Sequence, residues 1–331
     1  MNICRICDHG IQNETYSVRE MHFGTKEVFE YFLCSRCGCL QIADPPKELS
    51  KYYSDTYYSF LSDPDKQDHD LSVLRRIKER AAMERNRYEL FRKPGWGMVL
   101  EMIKPKPLSL FELLHHCQVS LHSSILDVGC GTGIFLHELT QMGMKNLLGV
   151  DPYISRDVTY ANGLKIIRTD LTGLNGKWKN GFDVIMFNHS FEHLPDPYEV
   201  LLTTGDLLKP DGILMIRIPT VSSYVWQQYK TDWVQIDAPR HFYIHSVESI
   251  KILAKKARFE IFKIVDDSTS FQFWGSEQYR QDIPLRSERS YSKNPRASIF
   301  STADMARYEN ITKTLNQNRQ GDQAAFYLRK I

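Results

Sequence analysis

The sequence has almost no net charge: 42 Lys and Arg stand against 40 Asp and Glu, a formal +2. That excludes a strong global field drawing the chain to nucleic acid or an anionic membrane, and leaves only local basic patches. It has no apolar run near the roughly 20 residues needed to cross a bilayer. Its opening residues, M-N-I-C-R-I-C, lack the apolar core of a secretion signal. These absences predict a cytoplasmic protein with no membrane span, in which the seven cysteines stay reduced. What is present is ordinary folded composition, 42% hydrophobic and 25% charged. At 331 residues the chain can bury one full α/β domain and something smaller.

Four cysteines form two pairs, Cys4-Arg-Ile-Cys7 and Cys34-Ser-Arg-Cys37. Two C-x-x-C turns, each presenting two thiolates, make a closed tetrahedral zinc site. Disulfides and unligated turns are the competing readings, and both suit a cytoplasmic chain less well. Four protein ligands leave no open position, so zinc at Cys4, Cys7, Cys34 and Cys37 is expected to be structural. Cys39 and His22 are spare ligand candidates. Short strands are expected over 15–18 and 27–33, and Asp44-Pro45-Pro46 closes a zinc-knuckle module over 1–46.

Residues 47–123 read as a tyrosine-rich segment and helical connector. Tyr52, Tyr53, Tyr57 and Tyr58 either clamp the small module to the rest or cover a ligand, with Tyr57 a candidate hydroxyl donor. Apolar residues at helical spacing predict helices over 69–91 and 108–119.

The most informative stretch is S-I-L-D-V-G-C-G-T-G-I-F-L-H-E, Ser124 to Glu138. It reads as a buried strand bearing Asp127, a tight turn through Gly129, Gly131 and Gly133, and a helix N-terminus. Glycines let backbone approach a ligand closely, and the unpaired amides of a first helical turn suit anionic groups. A dinucleotide fingerprint would put its third glycine at position 134, which is Ile. Further strands follow at 146–150, ending in Asp151, at 164–168, ending in Thr169-Asp170, at 182–187 and at 213–218. Strands alternating with helices predict a doubly wound α/β sheet with ligands at the strands' C-terminal ends. Asp127, Gly129, Asp151, Asp170 and Asn188 all fall on that edge. After the fourth strand, His189-Ser-Phe-Glu192-His193 matches an inverted zinc-protease motif. That ligation needs a long helix, and Pro195 and Pro197 cut it short, so the metal reading is set aside.

With its third glycine at 133 and Asp127 two residues before the first, the stretch resembles motif I of the class I S-adenosylmethionine-dependent methyltransferases. The resemblance implies a mostly parallel seven-stranded sheet with an antiparallel last strand, over 124–267 and 322–331. It also implies that S-adenosyl-L-methionine lies on Asp127, Gly129, Cys130, Gly131, Gly133, Asp151, Pro152, Asp170, Leu171, Asn188 and His189. In that family the acid at Asp151 receives the ribose hydroxyls, and the acid at Asp170 faces the adenine amino group. The zinc module and tyrosines resemble the N-terminal part of deoxysugar C-methyltransferases, where a Glu-His pair precedes the last helix. Here that pair reads Arg240-His241, so methylation of a sugar hydroxyl, with Arg240 meeting a phosphate or carboxylate, fits at least as well as methylation of a sugar carbon.

Residues 220–246 are too long and aromatic for a plain connection and are expected to cap the site. His241, of near-neutral pKa, is the candidate general base, with His193 and Tyr57 as further catalytic candidates and His245 a weaker one. Residues 268–321 read as an insertion, mobile at 286–292 and helical over 302–316. The expected activity is methyl transfer to a small-molecule or glycan acceptor, in the setting of polysaccharide modification. The other classes are an RNA methyltransferase using the zinc module, disfavoured by the charge, and a non-catalytic cofactor-binding scaffold.

Overall fold

A computed structural model describes residues 2–52, 73–103, 107–174 and 176–331. In chain order the strands and α-helices are β1 (Glu14–Arg19), β2 (Val28–Leu33), β3 (Leu40–Ile42), α1 (Val73–Phe91), α2 (Trp96–Ile103), α3 (Leu110–His115), β4 (Ile125–Val128), α4 (Ile134–Gln141), β5 (Leu147–Val150), β6 (Val158–Thr159), β7 (Lys165–Ile167), β8 (Phe182–Asn188), α5 (Pro197–Leu207), β9 (Leu208–Pro219), α6 (Tyr224–Tyr229), β10 (Tyr243–Ile244), α7 (Val247–Lys256), β11 (Phe259–Asp266), α8 (Phe271–Arg280), α9 (Thr302–Gln317) and β12 (Gln323–Lys330). The strands make a four-stranded sheet, β1-β2-β3-β10, and an eight-stranded one, β11-β12-β9-β8-β4-β5-β7-β6. Among the described residues no helix is long and apolar enough to cross a membrane.

The eight-stranded order places the first strand of the glycine motif, β4, at the centre, between β8 and β5, parallel to both. This is the mostly parallel methyltransferase sheet. Its eighth strand is β6, two residues paired antiparallel to β7 and too short to give a periodic signal. The last strand is reversed, as its ends show. The Thr220 N–H donates to Asp322 O at 2.8 Å and the Asp267 N–H to Gln323 O at 3.2 Å, so β12 begins where β9 and β11 finish.

The chain resolves into two compact units. One comprises Asp55–Asn188, Glu199–Ile216 and Tyr327–Ile331. Its strands β4, β5 and β8 are mostly apolar, with Ile125, Leu126, Val150 and Met186 entirely shielded from solvent and Asp127 the buried acid among them. Gly149 on β5 has no room for a side chain: a Cβ there would lie 2.5 Å from both Cys130 Sγ and Ile166 Cδ1. Replacing Gly149 by Ala is therefore expected to destabilise the chain by about 1–3 kcal/mol, the usual cost of overpacking, measurable as a lowered denaturant midpoint. Helix α2, which Lys93-Pro94-Gly95 masks as a stop signal, packs on α1 through Gly97, where a Cβ would meet Glu84 O at 2.1 Å.

The other unit comprises Met1–Ser54, His189–Tyr198 and Arg217–Phe326. Here β1 and β2 form a hairpin, and β3 pairs with β2 on one side and β10 on the other. Residues 286–292, expected to be mobile, are tied down instead. The Leu285 and Arg286 N–H groups donate to Met21 O and His22 O, both at 3.0 Å, and the Tyr291 N–H donates to Gln278 Oε1 at 2.7 Å. In the first unit, Lys209, Pro210, Asp211 and Gly212 lie inside the long strand β9 despite their turn-like composition.

Candidate active site

The glycine turn has the geometry its residues require. Gly129, Gly131 and Gly133 all have positive φ, 76°, 56° and 77°, which only glycine adopts without strain. Gly133 also caps α4, and a Cβ on it would lie 2.4 Å from Ile166 Cδ1. The Gly129 N–H donates to Val150 O, and the Gly131 N–H to Asp151 Oδ2 at 2.9 Å. Asp151 is thus oriented by the turn itself, its second oxygen accepting from the Tyr153 N–H at 2.8 Å. Pro152 is exposed beside it and Leu171 is buried. The Thr132 hydroxyl, absent from the sequence-based site, is buried in this turn without a partner. An orphaned donor among close-approaching glycines, next to a fixed carboxylate, fits a ligand carrying hydroxyl and charged groups. Asp170 is exposed, and its Oδ1 caps the following turn by accepting from the Thr172 N–H and hydroxyl.

Asp127 faces the same region and is 5% exposed. Burial, reinforced by the Asp151 charge, raises its pKa from 3.8 to about 7. An acid whose folded pKa exceeds its unfolded value stabilises the fold below the unfolded pKa, and that contribution is lost as pH rises through the folded value. We therefore expect Asp127→Asn to be more stable than the parent chain without ligand. The margin should widen from about pH 4 to pH 7, level off above, and reach a few kcal/mol. Thermal unfolding of both chains across that range checks it.

A second constellation lies in the other unit. β8 ends at Asn188, and the next residues, His189 to His193, lead into a one-turn helix, Phe191–His193. Glu192 is wholly buried, and neither of its carboxylate oxygens accepts a hydrogen bond. His189 Nδ1 lies 3.5 Å from Glu192 Oε1 and His241 Nε2 lies 3.8 Å from it. Burial opposes ionisation of Glu192, yet His189, His193 and His241 hold its carboxyl down to about 2. His241 is itself buried, its Nδ1 2.9 Å from Gln235 O and its Nε2 3.7 Å from Asp237 Oδ2. Burial, with His193 adding to it against the pull of Asp237 and Glu192, lowers its pKa to about 4. The near-neutral value expected from the sequence is therefore corrected: His241 is held as neutral imidazole. His193 stands edge-on to His241, ring centroids 4.7 Å apart, with Nδ1 2.9 Å from Arg240 O.

Arg240 does not await a phosphate. It is 2% exposed, donates from Nε to Asp237 Oδ2 at 2.9 Å, pairs through Nη2 with Asp237 Oδ1, and reaches Tyr52 O from Nη1. His245 packs in the core, stacked on Tyr243 and bonded to Ser249. Tyr57 lies outside the described residues. Glu192 and Asp237 were missed as site members because nothing local marks an acid as facing a histidine from another segment.

The four paired cysteines come together, all buried and none in a disulfide, with ligand atoms within 4.8 Å of one another. The Cys4–Cys37 and Cys7–Cys34 sulfurs are each 3.5 Å apart. Four thiolates about 2.3 Å from one zinc ion would be about 3.8 Å apart, so the set suits that ion. The spare candidates lie elsewhere: Cys39 Sγ is 3.9 Å from His245 Nδ1, and His22 Nδ1 is 3.8 Å from Asp237 Oδ1.

A central strand, a three-glycine turn, an acid on the next strand and a reversed last strand define a class I methyltransferase. The comparisons agree. A family described as a methyltransferase domain matches residues 73–264, more than half the chain, and the chain belongs to that family. It is similar to a ubiquinone biosynthesis O-methyltransferase of Nitrosococcus oceani, 36% identical over 113 residues, 32% of this chain and 47% of the relative. A protein of the same description from Haemophilus ducreyi is 34% identical over 106 residues, 28% of this chain and 43% of the relative. The chain spans about half the length of the curated relatives it matches. A solved S-adenosylmethionine-dependent methyltransferase from Mesorhizobium loti is 14% identical, with a TM-score of 0.41 over 66% of this chain and 97% of the other.

Proposed function

We propose that the chain methylates a hydroxyl of a small, polar acceptor, a sugar or another hydroxylated metabolite. The observation that carries this reading is the group of buried Glu192 and His241 with half-buried His193, of which Glu192 and His193 follow β8 closely in the chain. The Glu192 carboxylate oxygens accept no hydrogen bond although they are buried, so they are better explained as acting on an acceptor than as core. The description of the relatives as O-methyltransferases supports oxygen as the receiving atom.

In this reading Asp127, Gly129, Cys130, Gly131, Gly133, Asp151, Pro152, Asp170, Leu171, Asn188 and His189 hold S-adenosylmethionine, with Thr132 added. Asp151 takes the ribose hydroxyls, because its carboxylate is already aimed by the Gly131 amide. Bound, the cofactor supplies an electrophilic methyl group on a sulfonium. The chain orients the reactants, which is the larger part of the acceleration. Neutral His241, with His193 beside it and Glu192 facing it, handles the acceptor proton. Zinc held by Cys4, Cys7, Cys34 and Cys37 is structural, and residues 1–46 form its module.

The test is transfer of labelled methyl from S-adenosylmethionine to panels of sugars, nucleotide sugars, phenols and RNA, with product mass and linkage determined. A methyl ether on a small molecule is expected. A product methylated on carbon, or on RNA alone, overturns the proposal.

A further inference from the structure

We propose that Glu192, His193 and His241 together bind a divalent transition-metal ion. Each offers one ligand atom, and the three atoms lie within 4.8 Å of one another. The set is two imidazoles and one carboxylate, which suits borderline ions such as Zn²⁺, Fe²⁺, Mn²⁺ or Co²⁺ and leaves coordination positions open.

The orientation of both rings is set by backbone. His193 Nδ1 lies 2.9 Å from Arg240 O and His241 Nδ1 2.9 Å from Gln235 O. A carbonyl oxygen only accepts, so each Nδ1 carries hydrogen and each Nε2 carries the lone pair. A metal-binding histidine is held by this same outer bond. The two contributing segments are also tied together, since the Phe242 N–H donates to Glu192 O at 2.9 Å.

The cluster as it stands has acceptors facing acceptors. The His241 Nε2 lone pair points among Glu192 Oε1 at 3.8 Å and Asp237 Oδ2 at 3.7 Å. Those distances exceed the roughly 2.7–2.9 Å of a charge-assisted hydrogen bond. They approach the roughly 3.0–3.4 Å separating two ligand atoms each about 2.1 Å from one ion. Asp237 is neutralised by Arg240, which it accepts through both oxygens. Among the described residues Glu192 has no such guanidinium pair: the basic groups facing it are His189, His193 and His241. A buried carboxylate requires a counter-charge, and a metal ion between Glu192 and the two imidazoles provides it. The inverted zinc-protease pattern at 189–193 is thus rejected as a helix motif and replaced by a site completed from residue 241.

With both Nε2 atoms on the ion neither ring would take the acceptor proton; an open-sided ion would replace that role by binding the acceptor hydroxyl and lowering its pKa, the proton passing to solvent. That use rests on the function proposed above; the binding does not.

The test uses the full chain, dialysed against a chelator, then given one equivalent of Zn²⁺ to fill the thiolate site. Mn²⁺ is titrated in, and its free concentration is read by electron paramagnetic resonance. We expect one Mn²⁺ bound per chain, weakened at least tenfold by Glu192→Gln and by His241→Gln. Circular dichroism and S-adenosylmethionine binding verify that both variants fold. No Mn²⁺ bound by the parent chain, or binding unchanged in both folded variants, overturns the site. If Mn²⁺ fails to bind while the chain with one zinc still transfers methyl, the site has failed and the proposed function stands.

Discussion

Replacing His241 by Ala should lower methyl-transfer turnover by about a hundredfold or more, while S-adenosylmethionine affinity stays within about threefold. His241 and its partners Glu192, Asp237 and Gln235 all belong to one compact unit, and Asp127, the glycine turn and Asp151 to the other. The loss should therefore fall on turnover and not on cofactor binding. Because His241 is buried, the alanine variant leaves Glu192 without its imidazole neighbour. His241→Gln, which keeps much of the volume, separates loss of chemistry from loss of packing. Calorimetric binding and labelled-methyl assays on both variants decide the matter. Turnover equal to the parent chain's would remove His241 from the mechanism.

Removal of the zinc proposed at the four cysteines should be more damaging, though no step of the proposed chemistry passes through it. Structural zinc contributes about 10–16 kcal/mol to the folding of small zinc-finger peptides. Here the cysteine turns anchor the sheet that carries the catalytic candidates. Tyr31 on β2 donates its hydroxyl to His241 O at 2.8 Å. Ser246 donates its hydroxyl to Cys37 O, and β10 pairs with β3 through Tyr243↔Gln41 and Ile244↔Leu40. Cys34→Ser, or strong chelation, should lower the thermal midpoint by about 10 °C or more and abolish turnover. Cofactor binding should weaken far less, since none of its candidate residues touches this module's sulfurs. Retained stability and full activity in a zinc-free chain would reduce the four cysteines to buried thiols.

The candidate cofactor site was legible because its signals are local. A β-branched strand, three glycines at fixed spacing and an acid at the next strand's end lie within one stretch, and glycine there answers to positive backbone angles that other residues take only at a cost. The candidate acceptor group was not, because its parts meet only after folding. Glu192 and His241 sit on segments with no shared periodicity, and Arg240 looked available for an anion until Asp237 was seen to occupy it. His22, near the zinc turns in sequence, belongs with Asp237 in space. Elements such as β3, β6 and β10, of two or three residues, are specified by their partners and not by their own sequence.

The pairing of β3 with β10 has a consequence for how the chain is made. Cys37 and Ser246 are 209 residues apart in sequence, so the small sheet closes across most of the chain. During synthesis the β1-β2-β3 ribbon emerges early, and β3 must wait with one edge unpaired until Tyr243 and Ile244 leave the ribosome. An open, apolar edge is a template for strands of other chains, and contacts of such long range form slowly. The early ribbon is thus the part of this protein most exposed to mispairing at birth. Zinc captured by the first two cysteine pairs, long before the sheet can close, would hold it in register until its last strand arrives.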